Sequence, residues 1–306
     1  MSDRVLTGQK MTWHHYLRPT DADFAYLAKH YRFDIADAKT IRLSAPISRF
    51  DIYRDYLFFT FQIPFVEKGT GLIKAEELQV YLGNNYLVTL TNRPLDCLEK
   101  FLSRLGSENK YRAEIFAQGQ AFILYKLLFE TYYGVMPLIN ELSHQVNKLE
   151  EAISERDRAK TTTLELGRVR RNILHLRQII DPQRRLIASL QKCGHKTVSR
   201  AAALYYDDIL DTIDSIWLTA DNLKLIVDGL FDVNEAMLSH KTNDVVTILT
   251  VISATLMVPT FISGFYGMNV PWLPYAHDPT FLAWLYFVSI STVMLLILFI
   301  FRRRKL

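Results

Sequence analysis

The sequence predicts an α+β cytosolic domain, an α/β layer plus long helices, that continues through a long stalk helix into a two-helix transmembrane module. Three observations predict this class. Charged residues make up 22% of the 306 residues, yet from Val245 onward the only charges are Asp278 and a terminal basic cluster. Two uncharged runs near the C-terminus are each long enough to cross a bilayer. A heptad pattern leads directly into the first of these runs.

Residues 1–122 have the pattern of an α/β layer. Helical spacing follows Pro19 and Thr20 and predicts a helix at residues 21–31. Runs rich in aromatic and β-branched residues predict strands at residues 49–52, 56–63, 78–82 and 86–91. The last two strands flank Gly83-Asn84-Asn85, which is a hairpin-turn sequence.

The pattern of residues 123–200 predicts long antiparallel helices at 128–155 and 161–192. The charged stretch 154–160 is expected to connect them. We expect an interruption of the second helix near Asp181-Pro182, because proline removes a backbone donor.

The stalk, residues 201–244, carries a heptad seam. Its members are Tyr206, Ile209, Ile213, Ile216, Ala220, Leu223, Val227, Leu230, Asn234 and Met237. No proline interrupts residues 201–258, so one helix can enter the first membrane run, with a length on the order of 90 Å. The seam fits packing against another copy of the chain or against the chain's own two preceding helices.

The membrane module consists of a first span at residues 245–266, an outer loop at 267–280, a second span at 281–301 and a basic tail at 302–306. Pro259 lies inside the first span, where neighbouring helices or threonine hydroxyls satisfy the freed carbonyl. The tail Arg302-Arg303-Arg304-Lys305 abuts the second span and the outer loop has no lysine or arginine, so both termini are expected in the cytosol. The N-terminus lacks the apolar run of a cleavable signal, and the plasma (inner) membrane is the expected location.

One face of the first span carries alternating polar and apolar side chains: Asn243, Val246, Leu249, Ser253, Met257 and Thr260. Hydroxyls in membrane helices commonly bond back to a carbonyl one turn earlier, which is one explanation for Ser253 and Thr260. Around a symmetry axis, the same face would form polar rings separated by a hydrophobic constriction. No acid lies on this face, so such a pore would pass a largely hydrated ion such as Mg²⁺.

The first span ends in Tyr266-Gly267-Met268-Asn269. Taken alone, Gly267 and Asn269 are typical of a helix that terminates in a left-handed residue. Their position after a proline-containing span, on the outer side and before a short loop and a final span with a basic end, resembles the CorA family of magnesium transporters. That resemblance implies a homopentamer in which the first spans line a pore for Mg²⁺, and also for Co²⁺ or Ni²⁺, that is driven by the electrochemical gradient and closed by cytosolic Mg²⁺.

The resemblance also implies roles for individual residues. Gly267, Met268 and Asn269 would form the selectivity filter, with Thr260 as the next polar ring. Leu249 and Met257 would form the gate and Asn243 the cytosolic mouth. Asp208 lies where the family has an acid that binds regulatory Mg²⁺ between subunits. From the residues alone, Asp208 is a solvent-exposed charge on a helix. Glu67, Glu76 and Glu77 are the candidates for the acid that pairs with Asp208, and the sequence does not choose among them.

The outer loop departs from the family pattern. Residues 273–276 read Leu-Pro-Tyr-Ala where Mg²⁺ carriers often have Met-Pro-Glu-Leu, and Asp278 beside His277 is the acid that remains. A zinc transporter of the same superfamily, with or without proton coupling, is therefore the alternative, although Met268 favours magnesium.

A membrane-anchored sensor or scaffold is a second alternative. The histidines form no metalloprotease or triad pattern, and the sequence has no phosphate-cradling glycine loop, so we predict no enzyme and no organic cofactor. The expected partners are other copies of the chain, the lipid bilayer and divalent cations, and no nucleic acid, because the net charge of +4 is slight.

Overall fold

The computed structural model describes residues 3–8, 11–33, 48–154, 159–198, 204–268, 270, 274–275 and 278–304. The strands are β1 Asp3–Thr7, β2 Thr12–Leu17, β3 Arg49–Ile52, β4 Tyr56–Val66, β5 Ile73–Gly83 and β6 Tyr86–Thr91. The helices are α1 Asp21–Tyr31, α2 Asp96–Ser107, α3 Asn109–Ala117, α4 Gln120–Tyr133, α5 Met136–Ser154, α6 Ala159–Gln191, α7 Tyr205–Tyr266 and α8 Pro279–Arg304. Contacts divide the chain into two compact units, Met1–Phe231 and Asp232–Leu306.

The strands form one mixed sheet in the order β1-β2-β6-β5-β4-β3. The pair β2 and β6 is parallel and the other pairs are antiparallel. The long β4–β5 pair runs from Tyr56 opposite Gly83 to Val66 opposite Ile73. Residues 56–64 of β4 are all buried, as expected of a central strand that is covered on both faces.

The predicted helix at 21–31 is confirmed, and its start is fixed by a reciprocal capping box. The Asp23 N–H donates to the Thr20 hydroxyl, and the Thr20 N–H donates to the Asp23 carboxylate at 2.7 Å. Strands 49–52 and 86–91 are also confirmed. Strands β4 and β5 extend beyond the predicted bounds, and β1, β2, α2 and α3 were not predicted.

The helix expected at 128–155 is in fact two helices, α4 and α5, separated at Gly134-Val135. Helix α4 is buried nearly all round, and Ile123, Leu124, Leu127 and Leu128 have no exposed surface. A helix that is apolar on all sides belongs in a core. Within Gln120–Ile153, 56% of the most apolar part is buried, so this part packs inside the first unit.

The predicted interruption near Pro182 was wrong, because α6 runs continuously from Ala159 to Gln191 with Pro182 inside it. An interior proline costs a helix about 3 kcal/mol. On either side of it, Ile180, Ile187 and Leu190 are fully buried, and each such burial is worth about 1.5–3 kcal/mol. Packing therefore outweighs the local defect.

The stalk seam is buried within a single chain. Its members from Tyr206 to Leu230 are at most 8% exposed, and Asn234 is buried as well. The Tyr206 hydroxyl donates to the Ala121 carbonyl of α4 at 3.0 Å. These contacts favour the second of the two sequence-based alternatives, in which the seam packs against the chain's own preceding helices.

Helices α6 and α7 are joined by a ladder of polar pairs, which we call the α6–α7 ladder. Its pairs are Arg170–Asp228 at 2.9 Å, Arg177–Asp221 at 2.8 Å, Arg184–Asp214 and Gln191–Asp207. Successive members are seven residues apart on each helix, in opposite directions, so the ladder defines an antiparallel register. The Trp217 ring lies between the second and third pairs, with guanidinium carbons 5.7 Å and 4.4 Å from its centroid.

A buried histidine, His15, links the neighbouring strands β2 and β6. His15 pairs directly opposite Thr89, and its Nδ1 lies 3.0 Å from the Thr89 hydroxyl, which also accepts from Trp13 Nε1. Burial lowers the pKa of His15 to about 4, and the charge of Arg4 acts in the same direction. Arg4 is itself held by Glu99 at 2.9 Å.

We expect acidification to destabilise the first unit through His15. Between pH 7 and pH 5 the unfolded chain protonates this histidine near 6.5 while the folded chain keeps it neutral, so the free energy of unfolding falls by up to about 2 kcal/mol as the pH drops. Chemical denaturation at several pH values measures this slope. His15→Gln should show a shallower dependence over the same window, and equal slopes would contradict the assignment.

Candidate ion pathway and regulatory site

The second unit contains the apolar end of α7 and the helix α8. In the most apolar part of α7, 6% of the residues are buried, and the apolar stretch of α8 runs over Pro279–Leu295. Large apolar side chains exposed along a whole helix are unfavourable in water and are typical of a surface that faces lipid or other helices.

The six side chains predicted to line a pore lie on one exposed face of α7. Val246, Leu249 and Met257 are 52%, 62% and 72% exposed, and Asn243, Ser253 and Thr260 are exposed too. The half-buried or buried residues of the same segment fall on another stripe: Val251, Thr255, Val258 and Ile262. The structure thus places the predicted set on one side of the helix and leaves it uncovered in the single chain.

Helices α7 and α8 are joined by a polar contact between Ser263 Oγ and the Tyr286 hydroxyl. On α8, half-buried residues recur at helical spacing, at Leu282, Leu285, Ser289 and Val293. One stripe of α7 therefore has a partner within the chain, and the predicted pore face is a different stripe.

The threonine hydroxyls along this segment bond back to carbonyls one turn earlier. The Thr260 hydroxyl donates to Leu256 O at 2.7 Å, and Thr247, Thr250 and Thr255 do the same. The hydrogen of the Thr260 hydroxyl is thus donated to the backbone, as the explanation of a hydroxyl bonded one turn back predicts. A hydroxyl that donates its hydrogen to the backbone still has oxygen lone pairs, so Thr260 can accept a hydrogen bond from water.

The C-terminal end of α7 has no glycine in the left-handed conformation. The Gly267 N–H donates to Ser263 O at 2.8 Å, and the φ of Gly267 is not positive, so the expected left-handed terminus at this residue was wrong. Glycine is required there for a different reason, since a Cβ on Gly267 would lie 2.8 Å from the Ser263 carbonyl oxygen. Met268 is 54% exposed, and Asn269 lies outside the described residues.

Asp278 caps the N-terminus of α8. Its Oδ1 accepts from the Thr280 N–H at 2.9 Å and from the Thr280 hydroxyl at 2.6 Å. These hydrogen bonds lower the pKa of Asp278, so the carboxylate stays ionised next to the positive end of the helix. His277 lies outside the described residues.

Asp208 is an exposed acid near the start of α7, and its one side-chain partner in the described chain is the Tyr125 hydroxyl at 3.3 Å. Burial raises the pKa of Tyr125, and the charge of Asp208 raises it further, so this phenol remains a donor. The neighbouring acids of α7, Asp207 and Asp214, are engaged by α6. Asp208 therefore retains most of its capacity to accept from water or bind a cation.

The three acids considered as partners of Asp208 are each satisfied locally. Glu67 accepts from Lys74 at 2.6 Å, and Glu77 accepts from Gln62 and Gln79. Glu76 is buried and accepts from the backbone N–H groups of residues 92 and 93. The described residues contain no cluster of three or more histidine, cysteine or acidic side chains that could hold a metal.

An α+β unit followed by a helix whose apolar half is uncovered is typical of membrane proteins that carry a folded domain outside the bilayer. Residues 8–303 match the family described as CorA-like Mg²⁺ transporter protein. Because this match covers nearly the whole chain, the chain belongs to that family.

Two relatives and one solved structure show the extent of the likeness. The chain is 27% identical over 225 residues to the cobalt/magnesium transport protein CorA of Thermotoga maritima, covering 73% of this chain and 63%, less than two thirds, of that protein. It is 23% identical over 295 residues to the protein of the same name from Methanocaldococcus jannaschii, covering 96% and 90%. The complete structure of the CorA magnesium transporter from Methanocaldococcus jannaschii superposes with a TM-score of 0.78 at 18% identity, covering 96% of this chain and 90% of that one.

We expect Gly267→Ala to lower the melting temperature of the full-length protein. The added Cβ meets a backbone oxygen that cannot move away freely, and such overpacking costs about 1–3 kcal/mol. Gly264→Ala is the matched control, because a Cβ at Gly264 meets nothing within 4 Å. A similar melting temperature for both variants would show that the close approach at Gly267 does not limit stability.

Proposed function

We propose that this chain forms a homo-oligomeric channel, a homopentamer by family resemblance, that passes Mg²⁺ down its electrochemical gradient and also admits Co²⁺ or Ni²⁺. One observation carries the proposal. In a member of the CorA-like family, an uncovered α7 face that alternates polar and apolar side chains leads to Tyr266-Gly267-Met268-Asn269. The names of the Thermotoga and Methanocaldococcus relatives support both cobalt and magnesium as cargo.

The proposed topology has spans at residues 245–266 and 281–301, with both termini in the cytosol of a plasma membrane. The uncovered apolar surfaces of α7 and α8 support the spans. The basic residues after the second span support the orientation. Residues 1–122, 123–200 and 201–244 would then form the cytosolic layer, the long helices and the stalk.

A single α7 helix cannot surround an ion, so the pathway needs several copies about an axis. In such an assembly Asn243 and Thr260 would contribute polar rings, and Leu249 and Met257 would narrow the path between them. The Thr260 oxygen, with its hydrogen directed to Leu256, would accept from the hydration water of the ion. No carboxylate competes for the metal on this face, which suits an ion that gives up its water reluctantly.

Regulation by cytosolic Mg²⁺ is proposed to act at Asp208. Its carboxylate is exposed and accepts a hydrogen bond from the Tyr125 hydroxyl. Most other acids on the same stretch of α7 are instead bound by basic or amide groups of α6. A cation bound there between neighbouring copies would favour the closed arrangement, and its loss would release them.

Uptake by purified protein in liposomes tests the transported ion. We expect Mg²⁺ flux without a requirement for a pH gradient, and Asn269→Ala should lower it at least tenfold, because the filter amide contacts the hydrated ion. Asn222→Ala, an exposed amide on α7, is the control and should keep wild-type flux.

Other outcomes of the same experiment identify the alternatives. Zn²⁺ flux that exceeds Mg²⁺ flux and grows with a proton gradient would assign a zinc transporter. A folded wild-type protein that passes no divalent ion would point to a sensor or scaffold.

Regulation is tested by the cytosolic Mg²⁺ concentration that halves the flux. Asp208→Ala should raise this concentration about fivefold or more, since it removes a ligand for the regulatory ion. Asp211→Ala removes another exposed acid from the same helix and should leave the concentration near that of the wild type. Unchanged inhibition in the Asp208 variant would reject this site.

A further inference from the structure

A cleft of about 690 Å³ opens in the first unit at one end of the sheet, where three turns of the chain meet. Arg32 follows the last residue of α1, Arg54 lies in the turn between β3 and β4, and Asn84-Asn85 form the turn between β5 and β6. The volume lies within the range of small-molecule sites. The cleft is distant in sequence from every residue proposed for ion passage.

The cleft carries an excess of positive charge. Among the described residues, neither Arg32 nor Arg54 makes an ion pair, and both are exposed. Asp55, the acid that lines the cleft, is held by Lys196 at 2.8 Å. The hydrogen bond and charge of Lys196 lower the pKa of Asp55, with smaller contributions from both arginines.

The C-terminal end of α1 opposes this charge only in part. A helix end is equivalent to roughly half a negative charge. Arg32 and Arg54 supply two full positive charges once Lys196 has balanced Asp55. Counted over the described residues, the charge at the cleft therefore favours an anion.

Arg32 occupies a backbone conformation that arginine seldom adopts. Its φ is 55° and its ψ is 40°, the left-handed region where glycine or asparagine usually ends a helix. An arginine there keeps its side chain at a conformational cost.

Aromatic rings form the rest of the lining. Tyr31, Tyr53 and Tyr86 are half-buried, with Tyr53 stacked on Tyr56 at 4.5 Å between ring centroids and Tyr31 at 4.4 Å from Tyr86. Burial raises the pKa of Tyr86, so its hydroxyl remains protonated and can donate to an anion. Rings of this kind accept a planar partner by stacking.

We propose that this cleft binds a nucleotide, with its phosphates on Arg32 and Arg54 and its base against the tyrosine rings. Planar guanidinium groups bind phosphate oxygens through two parallel hydrogen bonds. The exposed Asn84 and Asn85 amides offer donors and acceptors for the edge of the base or for the ribose. The site would act through side chains, and so needs no glycine-rich phosphate loop.

The test is isothermal titration of the full-length protein in detergent with ADP, in buffer free of divalent cations. Wild-type protein should bind ADP saturably, and the double variant Arg32→Asn, Arg54→Gln should bind at least tenfold more weakly. Asparagine is chosen because it tolerates the left-handed backbone of residue 32. Asp55→Asn should tighten binding several-fold by removing the negative charge, a gain that misfolding cannot produce.

Matched ligands and a control variant complete the test. Arg112→Gln, which alters an arginine of α3 bonded to Asn109 outside the cleft, should bind ADP like the wild type. Adenosine and inorganic pyrophosphate should each bind more weakly than ADP. The proposal is overturned by an absence of saturable ADP binding to the wild type, by equal binding to the double variant, or by pyrophosphate binding as tight as that of ADP.

Discussion

The antiparallel register between α6 and α7 is the constraint on which the rest of the first unit depends. Apolar burial of the stalk seam supplies most of the free energy, because each fully buried aliphatic side chain contributes about 1.5–3 kcal/mol whereas a partly exposed ion pair contributes about 0.2–1 kcal/mol. The α6–α7 ladder instead selects the alignment, since a slip by one turn would break every pair at once. Helix α6 is in turn fixed to the sheet, where Asn172 accepts from the Ile73 N–H at 3.0 Å and donates to Gly71 O at 2.9 Å.

Periodic patterns in the sequence predicted the elements that packing reinforces. Residues 21–31 show helical spacing after Pro19 and Thr20, and the stalk seam repeats over many turns, so both were predicted. The strands β1 and β2 were not predicted, because polar and apolar side chains do not alternate clearly along Trp13, His14, His15 and Tyr16. Three of these four side chains are nevertheless buried. The continuity of α6 through Pro182 could not be predicted either, because it depends on burial against segments distant in the sequence.

The candidate site was predictable to the extent that it lies on one helix. Spacing alone was sufficient to place Asn243, Leu249, Met257 and Thr260 on one face, and the structure agrees. The close approach of Gly267 to the Ser263 carbonyl, by contrast, is a property of backbone geometry that composition does not reveal. The contact of Tyr125 with Asp208 joins residues 83 positions apart, and no local pattern encodes it.

The seven-residue spacing of the α6–α7 ladder limits how this part of the chain can change in length. Each inserted residue turns the following side chains by about 100° around the helix axis, so a single insertion within α6 would carry Arg177 and Arg184 away from Asp221 and Asp214. An insertion of seven residues would turn the arginines of α6 back towards α7, but it would shift the apolar side chains of α6 by about two turns along the helix. This segment should therefore diverge among relatives by substitution, and length differences should collect in the loops that join the helices.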